Sequence, residues 1–254
     1  LQHLEETGKT LLYLEKVVIG GSACPRVVAE TFEKTYGVEL IHAWGMTEMS
    51  PLGSLCTIKP DYAGLDDAAL YDVKQKQGHP PFGVEMKITD DEDRELPWDG
   101  KTFGRLKVRG PAVAASYHHG VGSEQFDAEG WFDTGDVAHI DAHGYMQITD
   151  RAKDVIKSGG EWISTLDLED AVSSHPAVAL AAAIGVPHPK WDERPLLLVV
   201  LRPGQSADPE ELKTHVAARV AKWWTPDEVR IVDALPIGPT GKVLKREIRE
   251  KVAG

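Results

Sequence analysis

Two short β-branched runs, LEKVVI at 14–19 and VELI at 38–41, enclose a stretch in which Val28, Phe32 and Tyr36 recur at helical spacing. Gly20 and Gly21 break the first run, Pro25 suits a first helical turn, and Gly37 supplies the stop. Strand, helix and strand in that order commit the chain to a parallel pair with its crossover helix on one face, the βαβ unit of a buried sheet.

The period changes along the chain. From about 74 to 150 short segments alternate apolar and polar residues between glycines and prolines, as in VEMKIT, GRLKVRGP, GWFDTGDVAHI and GYMQIT. These predict a small barrel or folded sheet beside the βαβ part, which ends near residue 60. After Arg151 helices and strands mix again. Ser164 and Asp167 form an S-x-x-D cap before a helix with Leu168, Ala171 and Val172, and strands follow at 177–186 and 195–201. Asp208 caps a second helix lined by Leu212, Val216 and Val220, and a third carries Leu244, Ile248 and Val252. The expected fold class is α/β and α+β: 1–150 the end of a large βαβ-plus-small-barrel domain, 151–153 a hinge, and 154–254 a small α+β domain.

At 254 residues the chain has room for one large domain or two modest ones of roughly 150 residues. A net charge of −12, with no basic patch against it, excludes nucleic acid as an expected partner. Cys24 and Cys56 are too few for a disulfide scaffold or a CxxC site, which suits a reducing, cytoplasmic compartment. The apolar runs 177–186 and 196–201 fall far short of the ~20 residues of a membrane span. LQHLEETGKT is not a signal peptide and reads as the continuation of something longer.

Several residues carry chemistry. Gly8-Lys9-Thr10 imitates the end of a phosphate loop, but His3 stands where that loop needs glycine and no strand precedes it. IGGSACP at 19–25 lets backbone approach a flat or anionic ligand, and HAWGMTEMSP at 42–51 reaches the same carboxyl edge of the sheet. There Trp44 can stack on a base or pack in the core, and Glu48 is either a hard ligand for Mg²⁺ or a solvated loop carboxylate. Asp133, Asp136 and Asp150 can accept from a ribose diol or serve turns. Lys153-Asp154 is a hinge or an exposed charge pair, Ser158-Gly159-Gly160 a ligand-lining loop or a hairpin turn. Lys242 is a mobile cation or a solvated one. The histidines at 118, 119, 139 and 143 have neither the spacing nor the companions of a metal site.

In order, GGSACP, HAWGMTE, GRLKVRGP, GWFDTGD, DRAKDVIKSGGEWIS and PTGKVLKRE resemble the adenylate-forming superfamily of acyl-CoA synthetases, luciferases and peptide-synthetase adenylation domains. The wording is most similar to bacterial medium- and long-chain fatty-acyl-CoA ligases and to methylmercaptopropionate-CoA ligases, over residues 14 to 250. The resemblance implies that Gly20, Gly21 and Ser22 lie against adenine, with Trp44 where the family usually stacks a tyrosine, followed by Gly45 and Met46. Thr47 and Glu48 would contact the α-phosphate and Mg²⁺, Asp136 and Arg151 the ribose. Lys153 would be the hinge, Lys242 the adenylation lysine, and Gly159-Gly160 the lining of the pantetheine tunnel.

The implied reaction is carboxylate, ATP and CoA going to acyl-CoA, AMP and pyrophosphate through an acyl-adenylate. The family's Ser/Thr/Gly-rich phosphate loop has no counterpart here, so the N-terminal half of the enzyme is an expected partner and the chain alone is expected not to turn over. A homodimer stays open. The alternatives are acyl transfer to a carrier protein and a non-catalytic nucleotide-binding module.

Overall fold

The computed structural model describes residues 1–254 apart from 22, 23, 63, 239–241 and 254, and divides them into two units, Leu1–Ile148 and Thr149–Gly254. The first unit opens with α1 (Gln2–Thr7), which Gly8 ends in the left-handed region. Gly8-Lys9-Thr10 therefore follows a helix, the reverse of a phosphate loop's placement.

β1 (Lys16–Ile19), α2 (Arg26–Tyr36) and β2 (Glu39–Gly45) form the βαβ unit, with β1 parallel to β2 from Lys16↔Glu39 to Ile19↔His42. Pro25 stands at the N-cap of α2, and Gly37 closes it at φ +68°. Ala29, Leu40 and Tyr71 are buried in this layer, with Val28 and Phe32 packed on them, so the helical spacing marked the face turned to the sheet. β3 (Leu52–Leu55) adds antiparallel to β2, and α3 (Asp67–Lys74) starts at an Asp66 cap. Neither β3 nor α3 has a clear periodic signal.

β4 (Glu85–Thr89), β5 (Gly104–Arg109), β6 (Phe132–Ile140) and β7 (Met146–Arg151) form a four-stranded sheet in chain order. Ile88, Leu106, Val108, Phe132 and Ile140 fill its core. β6 carries an irregularity: Arg105 pairs with Val137 and Lys107 with Asp133, so Leu106 alone faces Thr134, Gly135 and Asp136. Gly135 takes φ +71°, which a β-carbon disfavours, and the Thr134 hydroxyl donates to the Leu106 carbonyl. This bulge aims Asp136.

The second unit contains the hairpin β8 (Ile156–Ser158) and β9 (Glu161–Ile163), α4 (Thr165–Ser173), the long hairpin β10 (Val178–His188) and β11 (Asp192–Leu201), α5 (Pro209–Ala217), β12 (Glu228–Ile231) and α6 (Lys245–Ala253). The Ser164 hydroxyl accepts from Asp167 N–H, and Asp208 with Glu211 makes a capping box. β11 pairs antiparallel with β10, parallel with β12, and meets β8 at Asp192↔Ser158. The run LLLVVL alternates faces: Leu197 and Val199 join Leu168, Val172, Leu212 and Val216, while Leu196 and Leu198 join Ile184, Leu235 and Ile248. Both faces are covered by helices, which is why the run reads as continuously apolar.

Candidate active site

In the first unit the carboxyl ends of β1 and β2 lie side by side, as a parallel pair requires. Gly20 follows β1 where an added β-carbon would stand 3.1 Å from the Ala43 carbonyl oxygen, and Gly21 takes φ +81°. Ser22 lies outside the described residues. Gly45 ends β2 so close to the next turn that a β-carbon would fall 1.9 Å from the Pro51 oxygen.

Trp44 is a core residue, 9% exposed, and its six-membered ring lies across Gly53 where a side chain would collide with it. The indole is also held from its polar edge: Nε1 donates to Asp136 Oδ2 at 3.0 Å. Asp136 itself is 2% exposed, and its own N–H donates to the Thr134 hydroxyl at 3.1 Å. The bulge of β6 and the end of β2 thus deliver two candidate residues into one bond. Asp133 goes elsewhere, to an ion pair with Arg105 at 2.7 Å.

Thr47 and Glu48 open a single 3-10 turn after β2, with Thr47 exposed and Glu48 half-buried. The Tyr117 hydroxyl donates to Glu48 Oε1 at 2.5 Å, and the Glu48 carbonyl accepts from Ala114 N–H at 2.7 Å. The carboxylate beside it, with burial second, pushes the Tyr117 phenol up to about 12. Met46 and Tyr117 pack on the same cluster that holds Trp44. Tyr117 and Gly53 escaped the sequence reading, because a tyrosine 69 residues from Glu48 and a glycine inside a strand carry no local signal.

The remaining candidates belong to the second unit. Arg151 ends β7 with its side chain exposed; its N–H donates to Asp150 Oδ1 at 2.8 Å and its carbonyl accepts from Asp154 and Val155. Lys153 is exposed on that turn. Asp150 is 2% exposed, and its Oδ2 accepts from both the N–H and the hydroxyl of Thr165 at 2.6 Å, so it holds the start of α4. Burial raises its pKa, with Lys245 and these hydrogen bonds opposing.

Gly159 and Gly160, at φ +63° and +88°, form the β8–β9 turn. Gly159 N–H donates to the Trp191 carbonyl at 2.8 Å, and a β-carbon there would stand 2.9 Å from the Trp191 ring, itself 43% exposed. Lys242 projects an exposed side chain from a loop closed by the Ile237↔Val243 bridge, its carbonyl accepting from Gly238 N–H at 2.8 Å.

Two family models match the chain in order: that of the AMP-binding enzymes over residues 1–118 and that of the AMP-binding enzyme C-terminal domain over residues 167–242. The 3-methylmercaptopropionyl-CoA ligase of Ruegeria lacuscaerulensis is 50% identical over 251 residues, 99% of this chain and 46% of the relative. The medium-chain-fatty-acid–CoA ligase of Ectopseudomonas oleovorans is 48% identical over 94% of this chain and 43% of the relative. Among solved structures, the o-succinylbenzoate CoA synthetase of Bacillus subtilis in complex with its acyl-adenylate intermediate matches with a TM-score of 0.80 at 29% identity, over 98% of this chain and 48% of that one. The chain thus spans about half the length of the curated relatives it matches. With its motifs in order and both models matched, it belongs to the AMP-binding family of adenylate-forming enzymes.

Proposed function

We propose that this chain forms the C-terminal, nucleotide-handling part of an AMP-forming acyl-CoA ligase that acts on a fatty or short- to medium-chain acid. The observation that supports this most is the Trp44–Asp136 bond, which fixes a buried carboxylate at the end of β2, beside the two loops with the chemistry to receive a nucleotide. The naming of relatives at 48–50% identity as CoA ligases agrees with it.

In the first half-reaction a carboxylate oxygen of the acid attacks the α-phosphorus of ATP, the bond to the bridging oxygen breaks, and pyrophosphate leaves. Gly20 and Gly21 let backbone approach the base, and Asp136 accepts from the ribose hydroxyls, assisted by Arg151. One half-buried carboxylate, Glu48, beside the exposed Thr47 hydroxyl is a hard-oxygen set of the kind that holds Mg²⁺ together with substrate phosphates. When bound, Mg²⁺ neutralises charge on those phosphates. The Tyr117 hydroxyl orients Glu48, and the Lys242 ammonium offsets the charge of one anion attacking another.

In the second half-reaction the CoA thiolate attacks the acyl carbon and AMP leaves. Here the Gly159-Gly160 turn lines the thiol's path and Lys242 is withdrawn, the segment at Lys153 acting as the hinge. The cytoplasm, where ATP, Mg²⁺ and CoA meet, is the proposed place of action; among the described residues no helix is long and apolar enough to cross a membrane. The remainder of the ligase is proposed to cover the free edge of β1, where Tyr13, Leu14 and Val18 are exposed. The 254-residue chain by itself is expected to form no acyl-CoA.

The test is AMP release by the complete ligase with ATP, Mg²⁺ and CoA, across carboxylates from propionate to palmitate including 3-methylmercaptopropionate. Release that needs both carboxylate and CoA supports the reading and ranks the acids. Pyrophosphate release indifferent to CoA points to a carrier-protein acceptor, and nucleotide binding without turnover to a non-catalytic module.

A further inference from the structure

The β8–β9 hairpin carries the Gly159-Gly160 turn, yet strand pairing gives it little hold on the rest of its sheet. Among the described residues β8 meets β11 at one register pair, Asp192↔Ser158. The next two residues of β11 supply with side chains what a longer ladder would supply with backbone. Glu193 Oε2 accepts from Lys157 N–H at 3.0 Å, as a strand carbonyl would. Arg194 Nη1 donates to the hydroxyl of Ser158, a residue only 5% exposed, at 3.1 Å. Two adjacent side chains thus grip the two residues that lead into the turn.

Each grip is itself held in place. The Glu193 carboxylate lies over Gly185 of β10, where a β-carbon would stand 2.6 Å from Oε2, so any side chain at 185 pushes the carboxylate off its position. Arg194 is anchored on its far side by three bonds to the segment before β12. Its Nε donates to Asp227 Oδ1 at 2.8 Å, Nη1 to the Trp223 carbonyl at 3.0 Å and Nη2 to the Thr225 carbonyl at 2.9 Å. These bonds fix the plane of the guanidinium, and the same fork then presents a donor to Ser158. The Gly159 N–H, bonded to the Trp191 carbonyl at 2.8 Å, completes the attachment at the turn itself.

Resting on the ligase reading above, in which this turn lines the thiol's path, we propose that Glu193 and Arg194 are positioning residues for thioester formation: they set the place of the Gly159-Gly160 turn through Lys157 and Ser158. They act through the hairpin and touch no reacting atom. Their effect falls on the second half-reaction, because the first does not use this turn.

The test takes Glu193→Ala and Arg194→Met separately in the complete ligase, with Glu193→Gln, which keeps an acceptor for Lys157 N–H, as the conservative control. Two rates are read on the folded enzyme: thioester formation from supplied acyl-adenylate and CoA, and carboxylate-dependent pyrophosphate release. The expected result is a loss of about 10-fold or more in the first and under about 2-fold in the second, with partial rescue by Glu193→Gln. Equal loss in both, or loss in neither, overturns the proposal. Should either variant not fold, Gly185→Ala carries the same comparison, since it displaces the Glu193 carboxylate and leaves the hairpin's own residues untouched. Hydrogen exchange separates this proposal from the ligase reading. If wild type forms no thioester from supplied acyl-adenylate, the ligase reading fails, and faster exchange at the Gly159 amide in the variants, with the β10–β11 amides unchanged, still supports the positioning of the turn. Unchanged exchange at Gly159 overturns it.

Discussion

The indole of Trp44 and the carboxylate of Asp136, 92 residues apart, share a buried hydrogen bond of 3.0 Å. Trp44→Phe keeps the ring over Gly53 and removes only the donor. A buried carboxylate that loses a partner costs about 1–3 kcal/mol, so the variant is expected to be destabilised by that amount and to bind ATP several-fold more weakly. Denaturant unfolding and calorimetric titration with ATP check it. Unchanged stability and affinity would mean the bond orients nothing.

Tyr117 is bonded to Glu48 and its phenol is pushed up to about 12. A raised phenol pKa stabilises the neutral form in the folded state, so this contribution is whole below pH 10, the ordinary value, and is lost as pH climbs toward 12. In an ultraviolet titration, Glu48→Gln is expected to bring the Tyr117 ionisation down toward 10, as read against Tyr117→Phe. A transition that stays in place would remove Glu48 as its cause.

His139, on β6, has its pKa lowered to about 4 from 6.5 by burial and then by Lys76, with Asp141 and Asp99 opposing. Among the described residues its buried Nδ1 has no hydrogen-bond partner. The unfolded chain takes up this proton at a higher pH than the folded one, so stability is complete above 6.5 and falls as pH drops toward 4, by up to about 3 kcal/mol. His139→Phe should flatten that slope in denaturation midpoints measured over this window. An identical slope in the variant would assign it to the carboxylates.

Gly159 and Gly160 separate two effects of a methyl group. Each alanine substitution meets the left-handed backbone, at about 1–2 kcal/mol, but only at Gly159 does the new carbon strike the Trp191 ring, 2.9 Å away. Gly159→Ala is therefore expected to slow thioester formation from supplied acyl-adenylate more than Gly160→Ala, with pyrophosphate release little changed in both. Equal effects would mean that the contact of Gly159 with the Trp191 ring does not matter to the turn's part in thioester formation.

Local chemistry made most of the elements readable. Pro25 and Gly37 bracket α2, Ser164 and Asp208 cap α4 and α5, and the alternation in VEMKIT and GRLKVR marks β4 and β5, because caps and periods act over a few residues. Long-range pairing escaped. Nothing near Trp44 announces Asp136, nothing near Glu48 announces Tyr117, and the bulge that aims Asp136 depends on how β6 registers with β5. Asp150, read as a turn or ribose residue, is spent inside the second unit on Thr165, and Asp133 on Arg105. Such assignments depend on which strand lies beside which, a property of the fold as a whole.

The most direct measurement is the half-reaction split of Lys242→Ala in the complete ligase, with carboxylate-dependent pyrophosphate release set against thioester formation from supplied acyl-adenylate and CoA. Pyrophosphate release should fall by roughly 100-fold or more, as for loss of a transition-state charge contact, while thioester formation stays within about 2-fold of wild type. Equal loss in both half-reactions, or none in either, would contradict the role of Lys242 in adenylation and the two-step reaction built on it.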